Sequence, residues 1–466
     1  MMKTITFLLY FSLIVLLSAC SKSDFLDEKP ASNLLVPATL NDFQALLDNT
    51  NVMNFTGGLA QLASDDYTVT DEAYQSVPVA TQRNSYIWAK DLYGGEREIR
   101  DWNKLYEQVF YTNAVLDGLA RYADAENPQA RYLKGWALFA RAFSFYDLIR
   151  NFCKAYDAAT AATDPGIPLR LSPAIDYTQP RATLQQSFGQ VLSDLSESET
   201  LLPVERPSAN LNRPSKLAVY ALLARIFLDM GDYSRALDNA EKCLALYDVL
   251  LDYNTISKTS ATPFSTTNAE LIYNAWQVAV YGEFTGNYTA ASARIAPDLL
   301  GIYSANDLRK AVYFNARPDN SYIKKRGYNG YGAYGFTGLA TDEVYLVKAE
   351  CLARRGETAS AMNTLNQLLR KRWSPAATTP AAPYQDLTAA TPDEALQKIL
   401  LERRKELVWR GLRWHDLKRL NREGVGITLT RMVAGTRYTI APNDPRYVFP
   451  IPDDEIALSG ITQNIR

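Results

Sequence analysis

Two stretches of this sequence place the same residue types at the same spacing, 125 positions apart. Five positions correspond between the copies: Tyr220, Ala224, Phe227, Gly231 and Ala236 match Tyr345, Ala349, Leu352, Gly356 and Ala361. In each copy a large, a small and a large residue precede a glycine, and a second segment with a small residue follows. Because residues three and four apart share one face of a helix, each copy predicts two helices joined by a glycine turn.

The spacing resembles that of the tetratricopeptide repeat, and residues 224–236 are the better copy. A contiguous array would repeat about every 34 residues, so nonrepetitive segments separate these units. Apolar spacing at three and four predicts eight helices in all, over Glu98 to Tyr122, Gln129 to Tyr146, Thr183 to Leu202, Lys216 to Leu228, Tyr233 to Tyr247, Asp342 to Arg354, Thr358 to Trp373 and Asp393 to Leu420. We therefore predict a mainly α fold, a tetratricopeptide-like helical-repeat scaffold with long loop insertions.

The insertions differ from the helical segments in composition. Residues 51–92 (the early insertion) and 251–339 (the late insertion) are rich in Gly, Asn, Thr, Ser and Tyr. Residues 438–466 contain four prolines and are predicted to be extended. Loops carried on a rigid scaffold are the usual place for binding residues, so we expect the two insertions to bind any ligand.

Residues 1–19 have the features of an export signal. Lys3 precedes an apolar run from Ile5 to Leu17, which is shorter than the about 20 residues that cross a bilayer. The run ends in Leu-Ser-Ala-Cys at residues 17–20, which resembles the lipobox of bacterial lipoproteins. That resemblance implies cleavage before Cys20 and lipid attachment to it, and two or more acyl chains hold a protein stably on a membrane.

Composition argues against several classes of function. The net charge is −2 with a pI of about 5.8 and only short basic runs such as residues 324–326, which disfavours a nucleic-acid partner. His415 is the single histidine, so a multi-histidine metal site is excluded, and a Ser-His-Asp triad would have to use this residue. Cys153, Cys243 and Cys351 are expected to be buried free thiols, with one structural pair as the alternative.

The segment 402–419 has two interpretations. Glu402, Glu406 and Asp416 could serve as the paired carboxylates that glycosidases use. Alternatively, Arg403, Arg404, Glu406 and Asp416 could pair with one another and hold the C-terminal helices together, since buried charges satisfy each other in this way. We expect the structural role, with His415 structural as well.

Four segments follow one another in chain order: Phe25 to Pro30 after the lipobox, Trp102 to Tyr106 leading to Asn113 to Leu116, Thr341 to Gly356, and Glu402 to Arg419. Together they resemble the SusD/RagB-like outer-membrane nutrient-binding lipoproteins of Bacteroidetes. Pro450 to Ile456 and Gln463-Asn464 complete the pattern, although the family often continues with Pro-Gly where this chain has Ile465-Arg466. The resemblance spans nearly the whole mature chain.

The resemblance implies one SusD-like domain over residues 20–466 with four tetratricopeptide-like units, divided into an N-terminal part (20–250) and a C-terminal part (251–466). It implies a protein lipid-anchored to the outer membrane and facing the cell exterior, which captures oligosaccharides for a SusC-like TonB-dependent transporter. Such proteins bind and do not catalyse, and neither a cofactor nor a metal is implied. Peptide is the alternative ligand. A surface glycan hydrolase or a repeat-type adaptor is the alternative function.

Glycan capture requires aromatic faces for the C–H side of a sugar ring and planar polar groups for its hydroxyls. Both insertions contain such side chains. The predicted ligand residues are Asp66, Tyr67, Tyr74, Arg83, Trp88, Trp276, Tyr281, Tyr288, Tyr328, Tyr331 and Tyr334. Packing against the scaffold is the alternative role for each of them.

Residues 330–335 also match the pattern G-x-G-x-x-G of dinucleotide-binding proteins. That fingerprint must follow a strand, open a helix in a βαβ unit and have an acidic partner about 20 residues further on. A helical context in an exported chain does not fit these requirements. We therefore interpret residues 327–336 as a mobile, tyrosine-bearing loop before the helix that begins at Asp342.

Overall fold

The computed structural model describes residues 37–286, 292–330, 332, 334–377 and 380–466. The helices in this part of the chain are α1 Leu40–Asp48, α2 Leu59–Ala63, α3 Asp71–Ser76, α4 Ala80–Tyr86, α5 Arg100–Tyr122, α6 Pro128–Phe152, α7 Leu184–Leu201, α8 Lys216–Met230, α9 Tyr233–Leu246, α10 Gly282–Thr285, α11 Pro297–Gly301, α12 Leu308–Tyr313, α13 Thr341–Arg354, α14 Thr358–Arg370, α15 Pro392–Glu406, α16 Arg413–Arg422 and α17 Asp453–Ser459. The strands are β1 Phe55–Thr56, β2 Tyr67–Thr68, β3 Pro165–Pro168, β4 Arg181–Thr183, β5 Leu271–Tyr273, β6 Trp276–Gln277, β7 Arg294–Ile295, β8 Phe314–Ala316, β9 Tyr322–Lys324, β10 Leu339–Ala340, β11 Leu429–Val433 and β12 Thr436–Ile440. The fold is mainly α with short strands, as the sequence predicts.

Both predicted helical hairpins are present. Helices α8 and α9 meet at Gly231, which has a φ of +76° and closes α8 through a bond from its N–H to the Leu228 carbonyl. Gly356, with a φ of +84°, lies between α13 and α14. Ala236 and Ala361 are fully buried, and α9 packs against α13. The two repeat units therefore pack together although 125 positions separate them in the sequence.

The predicted single helix from Asp393 to Leu420 is wrong, because the structure divides this segment into α15 and α16. Trp409 and Gly411 have φ values of +65° and +66° in the intervening turn, and such left-handed residues end a right-handed helix. The Trp409 indole donates a hydrogen bond of 3.0 Å to the Thr285 carbonyl. The turn thus ties the C-terminal helices to the late insertion.

Buried ion pairs connect the helices of the C-terminal part. Arg419 on α16 binds both oxygens of Glu350 on α13 at 2.6 and 2.9 Å. Arg403 pairs with Asp416 at 2.9 Å. The predicted structural role of segment 402–419 is confirmed for this pair.

Two predicted members of the network have other partners. Glu406 accepts hydrogen bonds from Arg309 and Arg372. Arg404 reaches Asp298 at 3.0 Å and Asp65 at 3.2 Å. These pairs extend the network from the C-terminal helices to both insertions.

The three described cysteines and the histidine are also buried. Cys153, Cys243 and Cys351 are free, buried thiols, and burial raises the pKa of Cys153 to about 11. Burial, with Arg150 nearby, lowers the pKa of His415 well below its usual value, so the ring is neutral. Within the described residues, none of the helices combines the length and apolar character that crossing a bilayer requires.

Candidate functional site

The two insertions meet at a small ribbon of strands. β1 pairs with β6 in parallel, with Phe55 opposite Trp276. On the other side of β6, the Gln277 N–H donates to the Gly335 carbonyl at 3.0 Å, and Trp276 forms a bridge with Phe336. We call this feature the aromatic ribbon: the backbone of residues 54–56, 275–278 and 334–337, and the partly exposed rings of Phe55, Trp276 and Tyr334.

The rings of the ribbon combine apolar faces with a polar edge. Phe55 and Trp276 meet edge to face, with 5.5 Å between ring centroids and an interplanar angle of 81°. The Lys104 ammonium lies 5.4 Å from the centroid of Phe55. It also donates to the Asn51 carbonyl at 2.9 Å and to Glu107 at 2.6 Å. A buried ammonium group and a partly exposed carboxylate therefore lie beside the Phe55 ring.

Hydrogen bonds from the scaffold hold the ribbon in place. Gln108 on α5 binds the backbone of Phe55 twice, accepting from its N–H at 2.9 Å and donating to its carbonyl at 3.1 Å. The Asn54 amide donates to the Tyr273 hydroxyl at 2.8 Å, and the Thr56 and Thr337 hydroxyls are 2.7 Å apart. Because these groups fix the backbone, a ligand would meet rings that are already ordered.

Tyr334 lies near a carboxylate that the early insertion orients. Gln82 on α4 donates to Glu283 at 2.6 Å and accepts a hydrogen bond of 3.2 Å from the Phe284 N–H. Burial and the nearby Glu283 raise the pKa of Tyr334. The hydroxyl is therefore neutral at physiological pH, and Glu283 adds a fixed acceptor near the ring.

The glycine pattern in residues 330–335 is explained by close packing of the backbone. Gly330 has a φ of +70°, and a Cβ there would lie 2.6 Å from the Thr266 nitrogen. A Cβ at Gly335 would lie 2.6 Å from the Trp409 carbonyl oxygen. These two glycines are required because other backbone segments leave no room for a side chain, and no phosphate is needed to account for them.

Five of the predicted ligand residues have buried side chains and do not form part of the ribbon surface in this structure: Asp66, Tyr67, Trp88, Tyr281 and Tyr328. Tyr281 donates to Asp101 at 2.7 Å. Tyr328 donates to Glu270 and, at 3.2 Å, to Asp342. These hydroxyls satisfy carboxylates in the core, which is why the tyrosines point inward.

Tyr67 and Trp88 are buried around an arginine from the C-terminal hairpin. The Arg431 guanidinium lies 5.0 Å from the Tyr67 ring, 3.9 Å from Tyr86 and 4.8 Å from Trp88. The Trp88 indole donates to the Ala63 carbonyl at 2.9 Å. Tyr67 and Trp88, which the sequence predicts as ligand residues, therefore contact a cation of the protein itself.

The remaining predicted residues have different positions. Tyr74 and Arg83 are partly exposed, and Tyr74 packs beside Tyr86 with 6.0 Å between centroids. Arg83, on α4, donates to the carbonyl of Val77 at the end of α3. Three further predicted residues lie outside the described part of the chain: Cys20, Tyr288 and Tyr331.

Phe55 is a ribbon residue that sequence reasoning does not select. It stands within the early insertion, just before Thr56-Gly57-Gly58. An isolated phenylalanine in such a segment does not differ from one that packs in the core. Its role depends on pairing with β6 of the late insertion, for which the sequence contains no signal.

Burial of Asp66 destabilises the folded protein when its carboxyl group is charged. Its Oδ1 atom has no hydrogen-bond partner among the described residues. Burial and the neighbouring Asp65 raise the pKa of Asp66 to about 6. The folded state binds this proton more tightly than the unfolded state. The contribution of Asp66 to the stability of the folded state is therefore complete in acid and is lost as the pH rises through about 6.

We therefore expect Asp66→Asn to raise the free energy of unfolding by about 1 to 3 kcal/mol at pH 8 and to change it little at pH 4. Urea titrations at the two pH values measure the difference. Asp65→Asn is the matched control with the opposite sign, because Arg413 binds Asp65 at 2.7 Å and lowers its pKa against the effect of burial. A loss of stability for Asp66→Asn at pH 8 would contradict this account.

The carboxylates that the sequence offers for hydrolysis are bound within the scaffold. Glu402 and Glu406, the carboxylates that a hydrolase would require, both bind Arg309, at 2.6 and 3.1 Å. Both are buried. In the part of the chain that the structure describes, no group of three or more His, Cys, Asp and Glu side chains could hold a metal ion.

Two family models match this chain and together cover most of it. A SusD-like model described as "Starch-binding associating with outer membrane" matches residues 24–228. A SusD/RagB model described as "SusD family" matches residues 253–465. A relative named SusD-like protein P2, from Formosa agariphila, is 24% identical over 375 residues, which is 68% of this chain and 71% of the relative.

Solved structures share the fold. A SusD superfamily protein from Bacteroides thetaiotaomicron superposes with a TM-score of 0.71 at 21% identity, covering 92% of this chain and 100% of that one. A SusD-like carbohydrate binding protein from Bacteroides vulgatus gives 0.68 at 19% identity, covering 91% and 97%. At these identities the similarity establishes the fold and assigns no residue of the site.

Proposed function

Because this chain belongs to the SusD/RagB-like family, we propose that it is a cell-surface protein that captures oligosaccharides. In this proposal Cys20 carries the lipid that anchors the protein to the outer membrane, facing the cell exterior. A SusC-like TonB-dependent transporter receives the ligand from it. The protein binds and releases the oligosaccharide intact and is not an enzyme.

The observation that carries the proposal is the aromatic ribbon. Sugars present a flat C–H face that packs on aromatic rings, and their hydroxyls bond to groups at the edges of those rings. Phe55 and Trp276 supply the rings in a fixed edge-to-face pair. Lys104 and Glu107 lie beside them, and Glu283 lies near Tyr334. This combination suits a glycan better than it suits a wholly apolar ligand.

Trp276→Ala is expected to weaken oligosaccharide binding by at least about tenfold, or about 1.4 kcal/mol. A glycan array would identify the ligand, and isothermal titration calorimetry with that ligand would give the affinity. Trp373→Ala is a matched control, because Trp373 is also partly exposed and pairs edge to face with Tyr384, 5.7 Å between centroids, outside the ribbon. Equal affinities of the Trp276 variant and the wild type would refute the role of the ribbon.

The same array distinguishes the alternatives. A peptide panel tested beside the glycans would reveal a peptide receptor of the same architecture. Mass spectrometry of the recovered ligand tests the hydrolase alternative, since a receptor returns the oligosaccharide intact. A shortened product whose formation stops in Glu402→Gln or Glu406→Gln would favour hydrolysis over capture.

A further inference from the structure

A cavity lies in the late insertion, apart from the aromatic ribbon. It has a volume of about 500 Å³, and none of the ribbon residues line it. Its walls come from α12, from β8 and β9, and from two loops. The lining residues include three lysines (Lys258, Lys310 and Lys325), the rings of Tyr303 and Tyr322, and Asp307. A cavity of this size accommodates one or two sugar residues.

The three lysines are brought together by one buried ammonium group. Lys325 donates to the backbone carbonyls of Lys258 and Ala311, the latter at 2.7 Å. Because Ala311 follows Lys310, the same contact ties α12 to the Lys258 loop. The Lys258 ammonium itself donates to the Asn254 carbonyl at 2.7 Å. The Lys310 ammonium lies 5.2 Å from the centroid of the partly exposed Tyr322 ring. One wall therefore presents a ring with a cation over its face.

The positive charge of the cavity is not balanced from within. Among the described residues that line it, Asp307 is the one acid. Its carboxylate already binds Arg309 at 2.6 and 2.8 Å and lies 3.5 Å from Lys405. Burial lowers the pKa of Lys325 and so disfavours its charged form, although two carbonyls accept hydrogen bonds from the ammonium group. A nearby anion in the cavity would favour the charged form.

We propose that this cavity binds an anionic substituent, a carboxylate or a sulfate, of an acidic oligosaccharide, and so selects acidic over neutral ligands. The proposal rests on oligosaccharide capture as the proposed function. Lys258 and Lys310 hold the anion, Lys325 adds charge from below, and the Tyr322 ring packs on the sugar. Lys325, from the short basic run at residues 324–326, then has a local role, unrelated to nucleic acid.

The test compares ligands that share a sugar backbone and differ in their anionic groups. The affinities for tetragalacturonate and its methyl ester measure the effect of the carboxylates. The affinities for sulfated and unsulfated galactotetraose measure the effect of the sulfates. We expect the wild type to bind one acidic form at least tenfold more tightly than its neutral counterpart. We expect Lys258→Gln/Lys310→Gln to bring the two affinities within about twofold and to leave binding of the neutral form unchanged.

Lys242→Gln is the matched control, because the Lys242 ammonium also lies over a tyrosine ring, 5.6 Å from the centroid of Tyr220, and does not line the cavity. It should keep the acidic preference of the wild type. No preference in the wild type, or a preference that survives the double lysine substitution, would overturn the proposal. Loss of binding to neutral and acidic forms alike in Trp276→Ala, with the lysine variant unaffected, would support the ribbon and not the cavity.

A wild-type protein that binds none of these oligosaccharides would contradict the proposed function. Anion binding in the cavity can then be measured independently of oligosaccharides. Sodium galacturonate and sodium sulfate, each against sodium chloride of equal ionic strength, are added in thermal unfolding experiments. A rise in Tm with galacturonate that is absent in the double lysine variant would support the anion site. A rise with neither salt, or with sulfate in both proteins, would overturn it as an adventitious ion only.

Discussion

Replacing Arg372 by leucine is expected to lower the free energy of unfolding by at least about 3 kcal/mol, because it leaves the buried Glu270 without its cation and leaves Glu406 with Arg309 alone. The guanidinium binds Glu270 at 2.7 Å and Glu406 at 2.8 Å. It also donates to the Leu251 carbonyl at 2.7 Å and stacks over Tyr253. Its side chain is 1% exposed, so water cannot replace these contacts.

The loss should depend on pH. Burial already raises the pKa of Glu270 to about 7, although Arg372 opposes the shift, and burial also raises the pKa of Glu406. Removing Arg372 raises both pKa values further, so the variant is least stable, relative to the wild type, where both carboxyls must be charged. Urea titrations should show a large difference at pH 8 that becomes smaller towards pH 5.

Arg370→Leu is the control for this experiment. Arg370 lies two residues away and pairs with Asp386, but the side chains of this pair are 46% and 51% exposed. An exposed pair contributes at most about 1 kcal/mol, and its loss should show little change with pH between 5 and 8. Similar losses for the two variants would contradict the assignment of Arg372 as the cation of the buried network.

Gly330→Ala is expected to destabilise the protein by about 2 to 4 kcal/mol, through two additive causes. The φ of +70° is costly for alanine, and the new Cβ would lie 2.6 Å from the Thr266 nitrogen and 2.9 Å from the Phe264 carbonyl oxygen. Because these atoms belong to the backbone, the loop itself must move. Tyr334 follows on the same loop, so affinity for the ribbon ligand should fall as well.

Gly356→Ala separates the two causes. Gly356 has a φ of +84°, and a Cβ there would meet nothing within 4 Å. This variant should therefore lose about 1 kcal/mol through backbone conformation alone and keep the ligand affinity of the wild type. Chemical unfolding and calorimetry on both proteins measure the comparison. If both alanine substitutions lower the free energy of unfolding equally, the close packing around Gly330 does not contribute to stability.

The helical scaffold could be predicted because its signals are local. The spacing of Tyr220, Ala224 and Phe227 defines one helix face within two turns, and Gly231 marks where that helix ends. The boundary at Trp409 was missed because the residues from 393 to 420 keep a helical pattern across it. A tryptophan with positive φ is not expected from propensity, and tertiary contacts hold it there.

The candidate site could be predicted only in outline. Composition separates both insertions from the long helices, although they contain short helices and strands. Trp276 and Tyr334 are predicted residues that the structure places in the ribbon. The sequence does not reveal which aromatic residues face outward. Tyr67 and Trp88 turn inward because Arg431 lies between them, and this arginine binds the Tyr86 carbonyl across 345 positions of the chain. Contacts over such distances leave no periodic pattern.

The pairing of β1 with β6 also has a consequence for the order of folding. Asn54 and Tyr273, which are bonded to each other beside the ribbon, are 219 positions apart. Closing so long a loop is entropically costly and slow compared with forming a helical hairpin. We expect the hairpins to form first and the ribbon last. We propose that residues 20–250 and 251–466 form one domain. Because the ribbon takes strands from both parts, neither part should bind a ligand on its own, and the proposed binding surface forms only when both are present.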